Sequence, residues 1–495
     1  MNTTTPRSLL LWIAAAVVAV SAVPRAVPSF AHLPSQSTTA RPDIDKIFAP
    51  WATRESPGCA VALYKDGRIL YERGYGMADL EHDIPITPET VFYVGSVSKQ
   101  FTAFAAALAI QQGKVRLDEP IRTYVPELPD LAGPITVRQL VHHTSGLRDF
   151  YTLLSIAGRR QDSLFDNAAV IRLAARQKAL NFAPGTDYLY SNTGYALLAT
   201  LVGRATGTTF GGFVDTHMFQ PLRMTSSHVH DDDARIVKGR AYGYVRGSGG
   251  SGFRLSTPAG ERVGAGGVFS TVRDLLHWDE NFYTARVGGR AIIDQVQTPG
   301  ALNDGQPLTY AWGLQIGRYR GQRIVEHGGS LGGYRAHLIR FPDQHFSVAS
   351  LCNLGAITPG SLARQVADAA IGDRFTEPAA AAGQAGGGAG AGAGRAGGRG
   401  GRDTGPAAPA LSNPAAYAGV YHSDEIDATL TVTVKDGQLM VQRDTDAAPS
   451  ALQPAAADEF RFASMTVRFA RGTGGKIDAL GVDAGRVRDI RFLRR

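Results

Sequence analysis

Ser96 and Lys99 stand three residues apart where a long apolar stretch begins. Residues with this spacing lie on one face of a helix, so the hydroxyl and the amine become neighbours. A serine hydroxyl attacks a carbonyl only when an adjacent base takes its proton, and a lysine in a dry site loses its charge readily enough to be that base. The helix N-terminus also favours negative charge developing near Ser96. The spacing therefore predicts a nucleophile with its base, and the alternative is a serine that only caps a buried helix.

Tyr190 and Asn192 form a second candidate pair, two residues apart. A phenol held beside a lysine as a phenolate can pass a proton between a nucleophile and a leaving group. A carboxamide can hold a substrate amide or carbonyl, because it carries both donors and an acceptor. We therefore expect Tyr190 to move the proton and Asn192 to contact the substrate. Ser191 and Asn192 can also cap the helix that is predicted over residues 194–202.

A third candidate string, His327-Gly328-Gly329-Ser330, follows a strand-like run. Glycines at the edge of a strand let a substrate carbonyl approach the backbone, so that N–H groups can stabilise an oxyanion. The backbone amides of Ser96 and Ser330 are the predicted pair of donors. Glycine-rich turns after strands are common, so this string alone is weak evidence for a catalytic site. It supports one only together with the other two motifs.

These three motifs, in this order, resemble those of the serine β-lactamase-like and penicillin-binding protein family, which includes class C β-lactamases, D-aminopeptidases and β-lactamase-like esterases. Further segments resemble recurrent parts of that family: residues 140–147, 182–192, 264–275 and 310–317. The resemblance covers about residues 41–375. By position it implies an acylated nucleophile at Ser96, its base at Lys99, a base and proton donor at Tyr190, and substrate contacts at Asn192, His327, Gly328 and Gly329.

His327 is where the chain departs from the better-known members of this family, which carry lysine at the first position of the third motif. A fixed ammonium there helps to bind a substrate carboxylate and to hold the tyrosine ionised. The charge of a histidine near pH 7 depends instead on its surroundings. Histidine at this position fits the esterase and D-aminopeptidase branches, so efficient β-lactamase activity becomes a secondary hypothesis.

The order of predicted elements indicates an α+β catalytic domain over residues 41–375. Hairpins are predicted over residues 60–72 and 337–352, at the two ends of the domain. Helices are predicted between them, over residues 136–143, 168–177 and 272–281. Strands from both ends then share one antiparallel sheet with a helical region on it, as in the β-lactamase/transpeptidase-like fold. The active site is expected between the sheet and the helices.

The two ends of the chain differ in composition from the catalytic domain. A positive residue, a short apolar run and a small-residue site predict a signal peptide over residues 1–31. We therefore expect a secreted or periplasmic protein with no stable membrane span after cleavage. Residues 378–410 are rich in alanine and glycine, which predicts a flexible linker with a reach of roughly 30 Å.

Residues 411–495 alternate apolar and polar positions and predict a C-terminal all-β domain like a small barrel. This part of the chain carries no catalytic motif. A role in packing, in gating the substrate or in holding a ligand stays open. The long linker predicts that the domain folds independently of the catalytic domain.

The chain has two cysteines, Cys59 and Cys352, and neither has metal-ligand spacing. We expect two buried free thiols. In the sheet of the resembled family the two strands that would carry them lie side by side. A disulfide in an oxidising compartment is therefore the alternative.

The remaining polar clusters are expected to be structural. His228 and His230 are two residues apart, and alternate residues of a strand can bind one metal ion together. We nevertheless expect a solvated loop there. His142 and His143 are adjacent and point in different directions on a helix, which indicates structural roles. Glu326 is expected to support its neighbours or to lie at the surface rather than to activate water. We therefore predict no metal and no cofactor.

Together these features predict a secreted serine hydrolase that works through an acyl-enzyme on ester or amide bonds. The partner would be a small-molecule or short peptide substrate with a carbonyl to acylate. Esters, D-amino acid peptides and β-lactams stay open as substrates, and so does the oligomeric state. A net charge of +7 does not indicate nucleic-acid binding. The alternative function is a catalytically idle penicillin-binding-like protein that binds peptidoglycan or a partner.

Overall fold

The computed structural model describes Met1 and residues 41–131, 133–161, 163, 165–378 and 413–495. The predicted signal peptide (1–31) and linker (378–410) lie outside the described residues, apart from Met1 and Pro378. Among the described helices, none combines the length and the apolar character needed to cross a membrane.

A six-stranded antiparallel sheet forms the centre of the catalytic domain. Its strands are, in chain order, β1 (Cys59–Lys65), β2 (Arg68–Tyr75), β3 (Gln315–Tyr319), β4 (Gln322–Leu331), β5 (Tyr334–Phe341) and β6 (Phe346–Cys352). They pair in the order β3-β4-β5-β6-β1-β2, so strands from both ends of the domain share one sheet, as predicted. The β1–β2 hairpin turns at Asp66 and Gly67, whose φ angles of 50° and 72° suit these residue types.

Helices cover both faces of this sheet. In chain order they are α1 (Pro42–Phe48), α2 (Ser98–Gln111), α3 (Val137–Val141), α4 (Phe150–Ile156), α5 (Asn167–Ala175), α6 (Asn192–Thr206), α7 (Phe210–Val214), α8 (Gln220–Leu222), α9 (Val272–Thr284), α10 (Gly289–Val296) and α11 (Pro359–Ile371), with a π-helical turn at Asp215–Phe219. The apolar sides of α1 and α11 pack on one face, and the core on the other face includes α2 and α6. The predicted helices correspond to α3, α5, α6 and α9, with ends shifted by a few residues.

Caps fix the start of the helices around the candidate site. The Ser191 hydroxyl caps α6 by accepting from the Gly194 amide (3.4 Å), and the Asp149 carboxylate caps α4 by accepting from the Thr152 amide (3.1 Å). Helix α2 has no such side-chain cap and continues directly from a 3₁₀ turn at Gly95–Val97. Ser96 therefore lies in that turn, and its hydroxyl does not cap the helix.

A small sheet formed by Phe92–Tyr93, His228–Val229 and Val268–Ser270 corrects one expectation. The ring of His228 stacks on Phe269 at a centroid distance of 5.3 Å, and the His230 ring lies 5.0 Å from the same phenyl ring. Both histidines are only 8% exposed. The prediction of a solvated loop is wrong, because strand pairing places both imidazoles against an aromatic ring. Two further short pairs join Met77–Asp79 to Ile84–Pro85 and Tyr244–Arg246 to Phe253–Leu255.

Cys59 and Cys352 form a disulfide between β1 and β6. The two residues are direct partners in the antiparallel register of these strands. The expectation of two free thiols is therefore wrong, and the alternative is correct. The bond links the first and last strands of the catalytic sheet across 293 residues of sequence.

The C-terminal domain is a nearly closed, barrel-like antiparallel sheet, as predicted. Its strands are β7 (Gly419–Ser423), β8 (Ala428–Lys435), β9 (Gln438–Arg443), β10 (Ser450–Ala451), β11 (Gln453–Ala456), β12 (Glu459–Phe462), β13 (Met465–Arg471), β14 (Ile477–Ala484) and β15 (Val487–Arg494). They pair in the order β10-β9-β8-β7-β15-β14-β13-β12-β11. Alternate residues of β8, including Leu430 and Val432, are buried inside.

The barrel packs on the catalytic domain in one compact unit. Arg148 and Glu425 form an ion pair across the contact (2.7 Å), with side chains that are 2% and 5% exposed. The Arg148 guanidinium also donates to the carbonyl oxygens of Arg488 and Asp489 on the barrel. The barrel is therefore a fixed neighbour of the catalytic domain, and its β14–β15 turn reaches the candidate site.

Candidate active site

Ser96 and Lys99 meet as their spacing predicts. Lys99 lies in the first turn of α2 and is 0% exposed. Its Nζ lies 3.1 Å from Ser96 Oγ, 2.8 Å from Asn192 Oδ1 and 2.7 Å from the carbonyl oxygen of Ala265. The first two motifs are thus joined at one nitrogen atom.

Asp149 determines which end of the Asn192 side chain faces Lys99. This fully buried carboxylate accepts from the backbone N–H and from Nδ2 of Asn192, both at 2.7 Å. A carboxylate only accepts, so Asn192 must present Oδ1 to the lysine. In the neutral amine, Asn192 Oδ1 and the Ala265 carbonyl take the two hydrogens of Nζ. The lone pair is then directed at the Ser96 hydroxyl, which is the arrangement that a general base needs.

The charge of Lys99 is set by burial and by two neighbours. Burial lowers the pKa of the amine well below its ordinary value, and the positive charge of Arg486 lowers this pKa further. The Asp149 carboxylate acts in the opposite direction. The neutral amine is therefore favoured, as a base for Ser96 requires.

Tyr190 lies beside the same pair. Its ring centroid is 4.8 Å from Lys99 Nζ, and its hydroxyl shares a hydrogen bond with Ser96. Burial raises the pKa of Tyr190, while the Ser96 hydrogen bond and the charge of Arg486 partly oppose that rise. The phenol therefore keeps its proton near neutral pH. Tyr190 is placed to donate a proton, and the phenolate considered from the sequence is not the favoured form.

His143 packs directly against Tyr190, with ring centroids 4.2 Å apart. Its Nδ1 accepts from the Ser191 amide (3.1 Å), so the proton of the neutral ring is assigned to Nε2. Burial lowers the pKa of His143 well below its ordinary value. A neutral His143 thus supports the Tyr190 ring, in keeping with a structural role.

The third motif places its glycines against the turn that carries Ser96. Strand β4 extends past the end of β3, so residues 327–331 pair only with β5 on one side. A Cβ atom on Gly95 would lie 2.5 Å from the Ser330 nitrogen, and one on Gly329 would lie 3.0 Å from the Ser96 nitrogen. Glycine is needed at both positions for this approach. The Ser96 and Ser330 amides predicted as oxyanion donors therefore lie on backbones in direct contact.

His327 is buried and neutral. Burial lowers the pKa of its imidazole to about 3. Its Nδ1 lies 2.6 Å from the Gly328 carbonyl oxygen and must donate there, so Nε2 accepts from the Tyr310 hydroxyl at 3.0 Å. His327 therefore supplies no fixed cation at the position where the better-known members of the resembled family carry lysine.

A cavity of about 840 Å³ opens over these residues. Its wall includes all the predicted site residues apart from Lys99 and Gly329: Ser96, Tyr190, Asn192, His327, Gly328 and Ser330. Glu326 also lines it, bound by Arg364 at 2.6 and 2.7 Å and by His337 at 2.8 Å. Burial alone would raise the pKa of Glu326, but these two partners lower it to about 2. Glu326 is thus a paired structural carboxylate, as expected.

Sequence reasoning missed three residues that hold the site together, namely Asp149, Tyr310 and Arg486. Asp149 follows a family-like segment by two residues, and its type and position before α4 are a cap signal that could have singled it out. Tyr310 begins another such segment. Arg486 gave no signal, because a single arginine in a barrel turn matches no motif.

Among the described residues, one group of potential metal ligands lies close enough to share an ion: Asp79, Glu81 and His82. Glu81 and His82 are exposed, and Asp79 accepts from their backbone amides as in an ordinary turn. His228 and His230 are not part of such a group.

The sequence model of the β-lactamase family matches residues 44–372. A D-aminopeptidase from Gluconobacter oxydans (strain 621H) is 30% identical over 297 residues, which are 60% of this chain and 56% of that protein. A D-aminopeptidase from Brucella canis is 30% identical over 302 residues, or 60% of this chain and 57% of that protein. The match spans little more than half the length of these curated relatives.

Solved structures share the fold at lower identity. A penicillin-binding protein homologue from Pyrococcus abyssi, described as octameric, superposes with a TM-score of 0.59 at 22% identity, over 91% of this chain and 98% of that one. A D-amino acid amidase from Ochrobactrum anthropi SV3 gives a TM-score of 0.57 at 23% identity, over 67% of this chain and 99% of that one. The first likeness extends beyond the catalytic domain. Since the family model spans nearly all of that domain, from α1 to α11, this chain belongs to the β-lactamase family.

Proposed function

We propose that this protein hydrolyses amide or ester bonds through an acyl-enzyme on Ser96. The observation that supports this most strongly is the 3.1 Å contact between Lys99 Nζ and Ser96 Oγ, with the other two partners of the amine being acceptors. Such an amine can take the proton of the serine as its oxygen attacks. A protein that only binds a ligand has no need of a lysine held in this form.

In the proposed reaction Ser96 Oγ bonds to the substrate carbonyl carbon, and its proton passes to Lys99 Nζ. The Ser96 and Ser330 amides stabilise the oxyanion. Tyr190 donates its proton to the leaving nitrogen or oxygen as that bond breaks, and is reprotonated from Lys99. Water then attacks the acyl carbon and gives up a proton to Lys99. As the bond between the acyl carbon and Ser96 Oγ breaks, Lys99 returns this proton to Oγ, which releases the acid and restores the Ser96 hydroxyl.

Amides of D-amino acids are the substrate class we propose to test first. The curated relatives are D-aminopeptidases, and one structural neighbour is a D-amino acid amidase. The neutral His327 supports this choice over β-lactams, because it lacks the fixed cation that holds a β-lactam carboxylate. A panel of D- and L-alanine p-nitroanilide, a p-nitrophenyl ester and nitrocefin ranks the classes by kcat/KM. We expect the D-anilide to exceed its L isomer and nitrocefin to be slowest.

The acyl-enzyme itself is tested by labelling with a fluorophosphonate, followed by intact-mass analysis and peptide mapping. We expect one adduct on the Ser96 peptide and none in Ser96→Ala. Ser361→Ala, which removes a hydroxyl from α11, is the matched control and should label at the wild-type rate. Labelling of Ser96→Ala at the wild-type rate, or turnover without a trapped acyl group on any substrate, would refute the proposal.

We also propose that the protein is secreted or periplasmic. The Cys59–Cys352 disulfide supports this, because such bonds persist in oxidising compartments. N-terminal sequencing of the protein recovered from the native host's periplasm or medium tests the proposal. Recovery in the cytoplasm with an intact N-terminus would contradict it.

A further inference from the structure

The turn between β14 and β15 brings one barrel residue into the active site. Ala484 and Val487 pair across the hairpin, so Gly485 and Arg486 form a two-residue turn. The φ angle of 46° at Gly485 suits glycine in such a tight turn. Arg486 lines the same cavity as Ser96 and Tyr190.

The catalytic domain holds this turn by its backbone. Asn181 Nδ2 donates to the Arg486 carbonyl oxygen at 3.1 Å, and Asn181 Oδ1 accepts from the Arg488 amide at 2.8 Å. The Asp149 amide also points to the Arg486 carbonyl, at 3.5 Å. The position of the turn is therefore set by the docked interface, together with the buried Arg148–Glu425 pair.

The Arg486 guanidinium touches two groups that organise the chemistry. Its central carbon lies 4.6 Å from the centroid of the Tyr190 ring, and its Nη1 lies 3.9 Å from Asp149 Oδ2. That same oxygen orients Asn192, which in turn accepts from Lys99. The Arg486 side chain is 19% exposed, so it is largely enclosed at the contact between the two domains.

We propose that Arg486, delivered by the barrel, is a positioning residue of the active site, which holds Tyr190 and Asp149 in place and keeps a fixed positive charge beside Lys99. This inference rests on the proposed function of the Ser96–Lys99 pair. It makes the barrel part of the catalytic apparatus and assigns a task to a domain that carries no catalytic motif of its own.

The groups around Lys99 explain why the positive charge of Arg486 matters for the protonation of the amine. His143 and Asp149 face it from the segments before α4, Tyr190 and Tyr195 from the segment around the start of α6, and His327 from β4. The two histidines are neutral, because burial lowers the pKa of each. Arg486 is then the permanent cation that opposes Asp149 in its effect on the pKa of Lys99. Without Arg486 the pKa of Lys99 would be higher, so the amine would stay protonated up to a higher pH.

The test compares Arg486→Gln, Arg486→Lys and Arg488→Gln in the full chain. Arg488 lies two residues further along the same hairpin and pairs with Asp187 at 3.0 Å, so its variant is the matched control. The readouts are the pH profile of fluorophosphonate labelling, and kcat and KM on neutral and carboxylate-bearing D-alanyl amides. Thermal unfolding of each variant reports whether the fold is kept.

In Arg486→Gln we expect labelling and kcat to fall roughly 10- to 100-fold on both kinds of substrate, with the acidic limb of the profile moved to higher pH. Arg486→Lys should keep the acidic limb at its wild-type pH but not the full rate, because an ammonium keeps the charge and loses the contact of the guanidinium with the Tyr190 ring. Arg488→Gln should match the wild type.

Two results would overturn the inference. One is wild-type labelling and an unmoved acidic limb in Arg486→Gln. The other is an effect confined to KM for the carboxylate-bearing substrate, which would make Arg486 an anchor for substrate charge. Failure of the proposed function looks different, because the wild type itself would then not label at Ser96.

Discussion

Lys99 and Glu326 are both buried ionisable groups of the candidate site. The surroundings of Lys99 favour its neutral form, whereas those of Glu326 favour its charged form. Lys99 donates to a carboxamide and a carbonyl, which are uncharged acceptors, and burial lowers the pKa of its amine. Glu326 is held by Arg364 and His337, which keep the carboxylate ionised. A buried group without a direct counter-charge gives up its charge and becomes reactive, whereas a paired group keeps its charge and becomes structural. Substitutions should therefore separate the two kinds of group by activity and by stability.

The largest expected effect is on activity, in Lys99→Met. Removal of the base should slow fluorophosphonate labelling of Ser96 about 10⁴-fold. The free energy of unfolding should change by less than about 2 kcal/mol, because the loss of the amine's three hydrogen bonds is offset by no longer burying an amine. Labelling rates and urea unfolding measure the two effects. A variant that unfolds easily but still labels quickly would contradict this half of the comparison.

The next effect is on stability, at the contact between the two domains. Glu425→Ala leaves the Arg148 guanidinium buried without its counter-charge, and we expect a loss of about 3–5 kcal/mol. Arg148→Met combined with Glu425→Leu removes both charges and should recover most of that loss. Urea unfolding, followed by circular dichroism, measures the three proteins. Equal stability of the single and double variants would show that the pair is not what holds the barrel.

The Cys59–Cys352 disulfide should stabilise the catalytic sheet but have no role in catalysis. Replacing both Cys59 and Cys352 by serine should lower the free energy of unfolding by about 4 kcal/mol, because the bond restrains a very long segment of the unfolded chain. Labelling of Ser96 should stay at the wild-type rate in conditions where the variant is folded. Urea unfolding with and without reductant is the measurement, and a reductant effect on the variant itself would argue against this explanation.

The parts of the site that could be predicted from the sequence are those formed by residues close together in the chain. Ser96 with Lys99, and Tyr190 with Asn192, are short strings whose spacing already implies a shared chemistry. Local periodicity predicted the two hairpins of the catalytic sheet and the alternating strands of the barrel. Asp149 and Arg486 act through contacts between residues far apart in the chain. No local pattern encodes such contacts, so they needed the fold.

Two of the wrong predictions, at the cysteines and at His228, have the same cause. Whether Cys59 meets Cys352, and whether His228 faces water or an aromatic ring, depends on which strands pair. A strand's own sequence specifies its alternation but only weakly its partner, since pairing is decided by the packing of the whole sheet.

The smallest of the four effects is the pH-dependent contribution of Glu326. Its pKa lies at about 2 in the folded protein, below the ordinary value of 4.5, so the folded state holds the ionised form more strongly than the unfolded chain does. This stabilisation is fully present above about pH 4.5 and is lost as the pH falls toward 2. Glu326→Gln should therefore cost about 3 kcal/mol at pH 7 and almost nothing near pH 2. Glu81→Gln, at an exposed carboxylate, is the control and should cost little at pH 7. Unfolding curves at several pH values measure this, and a Glu326→Gln cost that does not shrink in acid would show that its pairing with Arg364 and His337 is not what stabilises the fold.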